Sequence, residues 1–278
     1  MRKYLAAVCQ MDSQENKEEN LKIAGNLILE AAAKGAKLAV LPETMNYIGK
    51  GYRDQAEPVP GPTAQFLCGK AREGGIWVAG GSFPERTGEN PKNTMLLINP
   101  EGRIVQSYSK IHMFDVDIEG GVSYRESDTN TAGDRIVLAD TELGKLGFAI
   151  CYDIRFGELF RLMALCGAQV ICVPASFTLE SGKDHWETLL RARAIENGVY
   201  ILASNQIGKK VTMNTYGNSM IIDPWGTVIA RAGERTGCIF AEIDLDYLDS
   251  VRRQIPVLEN RRHEVYQLSS GNISEYRQ

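Results

Sequence analysis

The chain has 278 residues, 44% hydrophobic and 24% charged, with a formal net charge of −4. This is the composition of a globular protein able to bury a sizeable core. The acidic balance argues against non-specific binding to nucleic acid or to an anionic membrane surface. No apolar run approaches a membrane span. Tyr4–Cys9 is too short for a signal-peptide core, so the expected location is the cytoplasm.

The elements alternate. Tyr4–Gln10 reads as a strand, and Asn16–Lys34 as a helix carrying Leu21, Ala24, Leu27, Ile28, Ala31 and Ala32 at helical spacing. Lys37–Glu43 is a short apolar strand stopping at Pro42, and the run predicts a right-handed parallel crossover. Pro62 opens a helix to about Glu73, Ile76–Phe83 is a buried strand, and Asn93–Lys110 is a hairpin turning at Pro100-Glu101-Gly102. Ile111–Asp134 is polar and aperiodic, and loops of that length are often functional.

The second half repeats the order. "RIVLAD" and "GKLGFAIC" read as strands, Phe156–Cys166 as a helix, "AQVICVPA" as a strand, Asp184–Asn197 as a helix and "VYILASNQ" as a strand. A second hairpin follows over Tyr216–Ala232, then a strand "GCIFAEID" and a short helix over Leu245–Arg253. Residues 1–268 read as one domain and residues 269–278 as a loose polar tail. Apolar strands of this kind need cover on both faces, which helices on one side and a second sheet on the other supply.

Six scattered cysteines (Cys9, Cys68, Cys151, Cys166, Cys172 and Cys238) and three histidines offer no zinc spacing. Most of the thiols are expected to be reduced core filler. Cys151 differs, because it ends the apolar run of "GFAICYDIRF" beside Asp153 and Arg155. Glu43 and Lys110 also stand where predicted strands run out, and strand ends are where α/β sheets bind ligands. The three types make a chemical set: a thiol nucleophile, an ammonium to stabilise an oxyanion, and a carboxylate to move the proton. The competing reading is a Lys–Glu surface pair and a core cysteine.

The segments "LAVLPETMNY", "YSKIHMFD" and "GFAICYDIRFGELFR" resemble, in that order, the three signature segments of the nitrilase, or carbon–nitrogen hydrolase, superfamily. The resemblance runs from "AAVCQMDSQENKEENL" to "IPVLENRR". It implies an α/β fold, a four-layer α-β-β-α sandwich with two mixed β-sheets. It implies a Glu–Lys–Cys triad at Glu43, Lys110 and Cys151, and a second glutamate at Glu126 in the long loop. It also implies no metal, no organic cofactor, and a homodimer or larger homo-oligomer acting on small-molecule amides. Tyr152 offers a backbone N–H beside the nucleophile as an oxyanion donor, and Phe177 and Thr178 at a strand end are expected to line the pocket. Lys110 and the nearby helix N-terminus are expected to lower the thiol pKa.

Among relatives, the ω-amidase and deaminated glutathione amidase branches look nearest, and N-carbamoyl amide or nitrile hydrolysis comes second. A Cys–His hydrolase using His112 or His185, and a silent binding or thiol-sensing protein, are the rivals outside this chemistry. Asp153 and Arg155 either pair or orient the turn, Arg191 and Arg193 pair locally with Glu196, and His185 is expected to be half-buried.

Overall fold

The computed structural model describes residues 1–117, 123–211 and 213–278. The chain opens with β1 (Lys3–Gln10), α1 (Lys17–Ala33) and β2 (Leu38–Val40). Asn16 caps α1 by accepting the Glu19 N–H at 3.1 Å, leaving β2 free to pair parallel to β1 as the crossover predicts. The helix α2 (Pro62–Gly74) starts on its proline, and β3 (Trp77–Ala79), β4 (Phe83–Glu85), β5 (Lys92–Ile98) and β6 (Ile104–Ser109) complete the first half.

The expected single strand over Ile76–Phe83 is two strands. Gly81 has φ +62°, and a Cβ there would stand 2.2 Å from the Pro42 carbonyl oxygen. Glycine thus lets the chain kink against the end of β2. Beyond the kink, Ser82 accepts the Thr44 N–H at 3.0 Å and the Met45 N–H at 2.9 Å, which fixes the segment carrying Glu43.

Within the predicted long loop, β7 (Asp115–Asp117) and β8 (Ser123–Arg125) form an antiparallel ribbon ahead of a 3₁₀ turn, Glu126–Asp128. The second half supplies β9 (Ile136–Thr141), β10 (Gly144–Phe148), α3 (Gly157–Leu165), β11 (Val170–Ala175), α4 (Leu179–Asn197) and β12 (Tyr200–Asn205). The helix α4 starts five residues before the expected Asp184, on an extended Thr178. Sequence hides this start because Ser181 and Gly182 are weak helix formers; at Gly182 a Cβ would meet Tyr216 at 2.5 Å. Next come the ribbon β13 (Ile207–Lys209) and β14 (Asn214–Tyr216), then the hairpin β15 (Met220–Ile222) and β16 (Val228–Arg231). The chain closes with β17 (Gly237–Asp244), α5 (Leu245–Gln254) and β18 (Ile273–Arg277). The second hairpin is therefore shorter than Tyr216–Ala232, because Tyr216 pairs in the ribbon instead.

Two seven-stranded mixed sheets result. One runs β17-β1-β2-β3-β5-β4 with β6 beside β5, and the other runs β16-β15-β12-β11-β10-β9-β18. Alternation along β1 sorts its faces. Tyr4, Ala6 and Val8 join the layer between the sheets with Val137 and Ala139, whereas Ala7 and Cys9 meet Ala24, Leu27 and Ile28 of α1. Residues of α3 and α4, including Phe160, Trp186 and Leu190, cover the second sheet. The architecture is the expected α-β-β-α sandwich.

The tail is not loose. Residues Ile273–Arg277 pair in parallel with Ile136–Asp140, and Glu275 takes an ion pair from Lys145 at 2.5 Å. A polar five-residue segment is ordered here because the β9 edge leaves backbone groups to satisfy. Among the described residues, no helix is long and apolar enough to cross a membrane.

Candidate active site

Two strand ends from each sheet converge on one cleft of about 880 Å³. Its lining includes Glu43 and Lys110, after β2 and β6, and Cys151 and Ser176, after β10 and β11. Glu126, Tyr152, Phe177 and Thr178 also line it, so the seven site residues expected from the sequence lie in one place, while Asp153, Arg155, His112 and His185 stand outside the lining.

Glu43 is buried. Its Oε1 accepts hydrogen bonds from Asn93 Nδ2 at 2.8 Å and Lys110 Nζ at 3.1 Å, and its Oε2 accepts the Ser176 N–H at 2.8 Å. Lys110 also donates to Glu126 Oε2 at 2.8 Å, and the Phe114 N–H donates to that same oxygen at 2.7 Å. Burial pulls the Lys110 pKa down, but Glu126, Glu43 and Cys151 outweigh it and hold the ammonium well above its ordinary range. The ammonium form of Lys110 is therefore favoured, and it is shared between two buried carboxylates.

Cys151 behaves differently from the expectation. Burial, followed by the Glu43 charge, pushes its thiol well above the ordinary value. Lys110 and the Ser176 N–H act in the opposite sense without prevailing. The expected lowering is thus overturned by desolvation. Burial favours the neutral form of the thiol.

The nucleophile turn is unusual in backbone terms. Cys151 has φ +48° and opens a 3₁₀ turn, Cys151–Arg155, ahead of α3. A non-glycine residue in that region costs on the order of 1–3 kcal/mol and persists only where its surroundings enforce it. Asp153, fully buried, supplies the enforcement. Its Oδ2 accepts the Ile150 N–H at 2.8 Å and the Tyr108 hydroxyl at 2.7 Å; its Oδ1 accepts the His112 N–H at 3.0 Å and lies 2.7 Å from His112 Nδ1. This one carboxylate ties the turn of the second sheet to β6 and the segment after it. Asp153→Ala strands those donors and is expected to cost about 3 kcal/mol in urea unfolding, with a lower kcat in the fraction that folds.

Arg155 is not the partner of Asp153. Its guanidinium lies over the Tyr152 and Phe177 rings, 5.6 and 5.2 Å from their centroids, and Nη1 is 3.3 Å from His185 Nδ1. His185 is exposed rather than half-buried, because its position on α4 faces outward. His112 stacks on Phe156 with ring centroids 3.5 Å apart. Neither histidine lines the cleft, which removes the Cys–His arrangement. Arg193 pairs with Glu196 at 2.8 Å as expected, while Arg191 lies 3.8 Å from Glu187 instead and donates to the Gly226 carbonyl at 2.8 Å.

Sequence reading missed several walls of the site. Asn93 comes from the first residues of β5, and Tyr47, Ile48 and Tyr52 from the loop after β2. Phe114, Tyr124 and Asn130 come from the long loop. Only Ser176 carried a signal, its place at a strand end. Four buried polar atoms here, Tyr52 Oη, Asn93 Oδ1, Asn130 Oδ1 and Ser176 Oγ, have no hydrogen-bond partner among the described residues. Buried polar atoms are rarely left so, and these mark polar grips for a ligand. The Tyr152 N–H likewise donates to no acceptor among the described residues.

A family profile described as carbon-nitrogen hydrolase matches residues 5–253. The chain belongs to the carbon–nitrogen hydrolase family. It is 40% identical over 273 residues to omega-amidase NIT2 of Danio rerio, covering 97% of this chain and 99% of that one. It is 44% identical over 269 residues to deaminated glutathione amidase of Synechocystis sp., covering 94% and 99%. Among solved structures, the Caenorhabditis elegans NitFhit protein superimposes with TM-score 0.90 at 38% identity, over 98% of this chain and 68% of that one. This carbon–nitrogen hydrolase is an enzyme of the amidase kind.

Proposed function

We propose that this carbon–nitrogen hydrolase releases ammonia from small carboxylate-bearing amides through a thioester on Cys151. The observation that carries the reading is the buried Glu43–Lys110–Glu126 cluster in the same cleft as the Cys151 thiol. Cys151 Sγ attacks the amide carbon as its proton passes to Glu43. The oxyanion is held by Lys110 Nζ and the Tyr152 N–H. Collapse breaks the C–N bond, and Glu43 returns the proton to the departing nitrogen. Glu43 then takes a proton from water, which attacks the thioester and frees the acid and the thiol. Glu126 holds Lys110 between the two carboxylates, so the ammonium faces the reacting carbon and not solvent.

Phe177 and Thr178 form the wall beneath the substrate, and Arg155, outside the cleft lining but stacked on the Tyr152 and Phe177 rings at its edge, is the cation for a substrate carboxylate that extends past those rings. Among the described residues it has no ion pair with an Asp or Glu of its own. Arg155→Ala is expected to raise KM for carboxylate-bearing amides about ten- to a hundredfold, the worth of a charged hydrogen bond. Turnover of propionamide should stay within about twofold. Equal losses on both would remove Arg155 from recognition.

The relatives named ω-amidase and deaminated glutathione amidase bracket the substrate. Ammonia release measured side by side on α-ketoglutaramate and deaminated glutathione tests the reading. A kcat/KM on either at least about a hundredfold above that on simple nitriles supports it, and a preference for nitriles would overturn it. Six unpaired thiols suit the reducing cytoplasm. The exposed Ile195 and Trp225, adjacent where Gly226 packs on Ile195, suit a contact between copies in a homo-oligomer.

A further inference from the structure

We propose that Cys9 and Cys238 form an oxidative modification site, a dithiol that hydrogen peroxide closes to a disulfide between β1 and β17. Neither residue lines the cleft, and the proposal does not rest on the amidase reading. The two residues face each other directly in the antiparallel register, with their sulfurs 3.4 Å apart.

The backbone pattern favours closure. The Leu245 N–H donates to the Arg2 carbonyl at 2.9 Å, which makes that opposed pair a hydrogen-bonded one. Pairs alternate along an antiparallel ladder. Stepping through the register from Lys3 opposite Asp244, Cys9 and Cys238 fall on a non-hydrogen-bonded pair. There the Cα atoms stand about 4.5 Å apart and the side chains approach most closely. Disulfides span Cα separations of roughly 4.4–6.8 Å. Closure then asks for rotation of two side chains and no shift of strand.

The two sulfurs have different access. The strand β17 is the edge of its sheet, and Cys238 is half-buried against the Leu27 carbonyl at 3.6 Å, whereas Cys9 is fully buried under α1. The contact with Cys238, and then burial, push the Cys9 thiol up, which suits it to the second step and not the first. In the first step the Cys238 sulfur displaces water from peroxide and becomes a sulfenic acid, so the sulfur is oxidised and peroxide reduced. In the second, the Cys9 sulfur attacks Cys238, the S–S bond forms, and a second water leaves with the thiol proton and the sulfenic hydroxyl. The sum is two thiols and one peroxide giving one disulfide and two waters. The other buried structural thiol, Cys172, is pushed up to about 12 by burial alone and has no facing cysteine.

The test is peroxide treatment of the full folded chain, in the wild type and in Cys151→Ala, followed by alkylation, intact mass measurement and peptide mapping. The expected result is loss of two hydrogens in Cys151→Ala and, in both chains, one peptide pair joining Cys9 and Cys238 that dithiothreitol reverses. Cys9→Ser is expected to abolish the link and leave Cys238 as a sulfenic acid that dimedone captures. If Cys9→Ser fails to fold, the peptide map of the chains that keep both cysteines decides alone. Oxidation of Cys238 to sulfinic acid without a link would overturn the proposal. So would recovery of both thiols in alkylated form after peroxide has consumed Cys151 in the wild type.

Discussion

Cys151→Ala is expected to lower ammonia release by at least about four orders of magnitude on every active amide, with the fold unchanged. Loss of a nucleophile that acts as one unit with its base leaves only what binding and oxyanion stabilisation supply. The stability should hold, because the side chain is small and the turn is fixed by Asp153 and not by the thiol. The informative companion is Glu43→Gln. It keeps the shape and one of the two accepting oxygens, the one that meets Asn93 or the one that meets the Ser176 N–H, but removes the base, and is expected to cost about 10²–10⁴-fold in kcat. Yet it should also make the thiol more acidic. Burial is the first cause of the raised Cys151 pKa and stays in place, but the Glu43 charge is the second and is gone. The pH profile of iodoacetamide alkylation should therefore move to lower pH in Glu43→Gln while turnover collapses. More thiolate with less catalysis separates the proton-transfer role from thiol activation. A profile moved to higher pH, or kcat within a few-fold of wild type, would remove Glu43 as the base.

Lys110→Met is expected to be nearly as damaging to activity and more damaging to the fold. Lys110 is the cation between two buried carboxylates, with Glu43 and Glu126 at 3.1 and 2.8 Å. Removing one partner of a buried ionic group is strongly destabilising, about 3–5 kcal/mol, because the remaining charges are left without compensation. Here two like charges are left facing one methionine. Ammonia release should fall at least about a thousandfold, through loss of an oxyanion donor and displacement of both glutamates. Urea unfolding and single-turnover ammonia release check the two halves. The triple change Glu43→Gln, Lys110→Met, Glu126→Gln should regain most of the stability and none of the activity. Wild-type stability in Lys110→Met would mean that the cluster is not the buried ionic unit described here.

The sequence carried the candidate catalytic positions unevenly. Glu43, Lys110 and Cys151 were candidates because each stands where a predicted strand runs out; position left a surface pair and a core cysteine open, and the three resembling segments decided between the readings. Glu126 had no such signature. It sits in a 3₁₀ turn of an aperiodic loop, and only resemblance picked it out. Asn93 and Tyr52 were invisible for another reason. Asn93 is a polar residue inside a hairpin strand, and its contact with Glu43 depends on which strands become neighbours. The error about the thiol is instructive. A lysine and a helix start are readable from sequence, but desolvation is not, and desolvation is the larger effect. The tail was misread for a related reason. Five polar-looking residues become a strand only because β9 offers an open edge, a property of the assembled sheet.

The proposed catalytic groups come from different sheets. Glu43 and Lys110 belong to the first, and Cys151 and Ser176 to the second. The distance between nucleophile and base is therefore a reading of how the two sheets sit on each other. Val8 and Val137, in the apolar layer between them, act as spacers as well as ballast. Close-packed layers transmit small changes of volume. A methylene lost from that layer is expected to reach the reacting atoms as a change in approach distance, and so to lower turnover as well as stability.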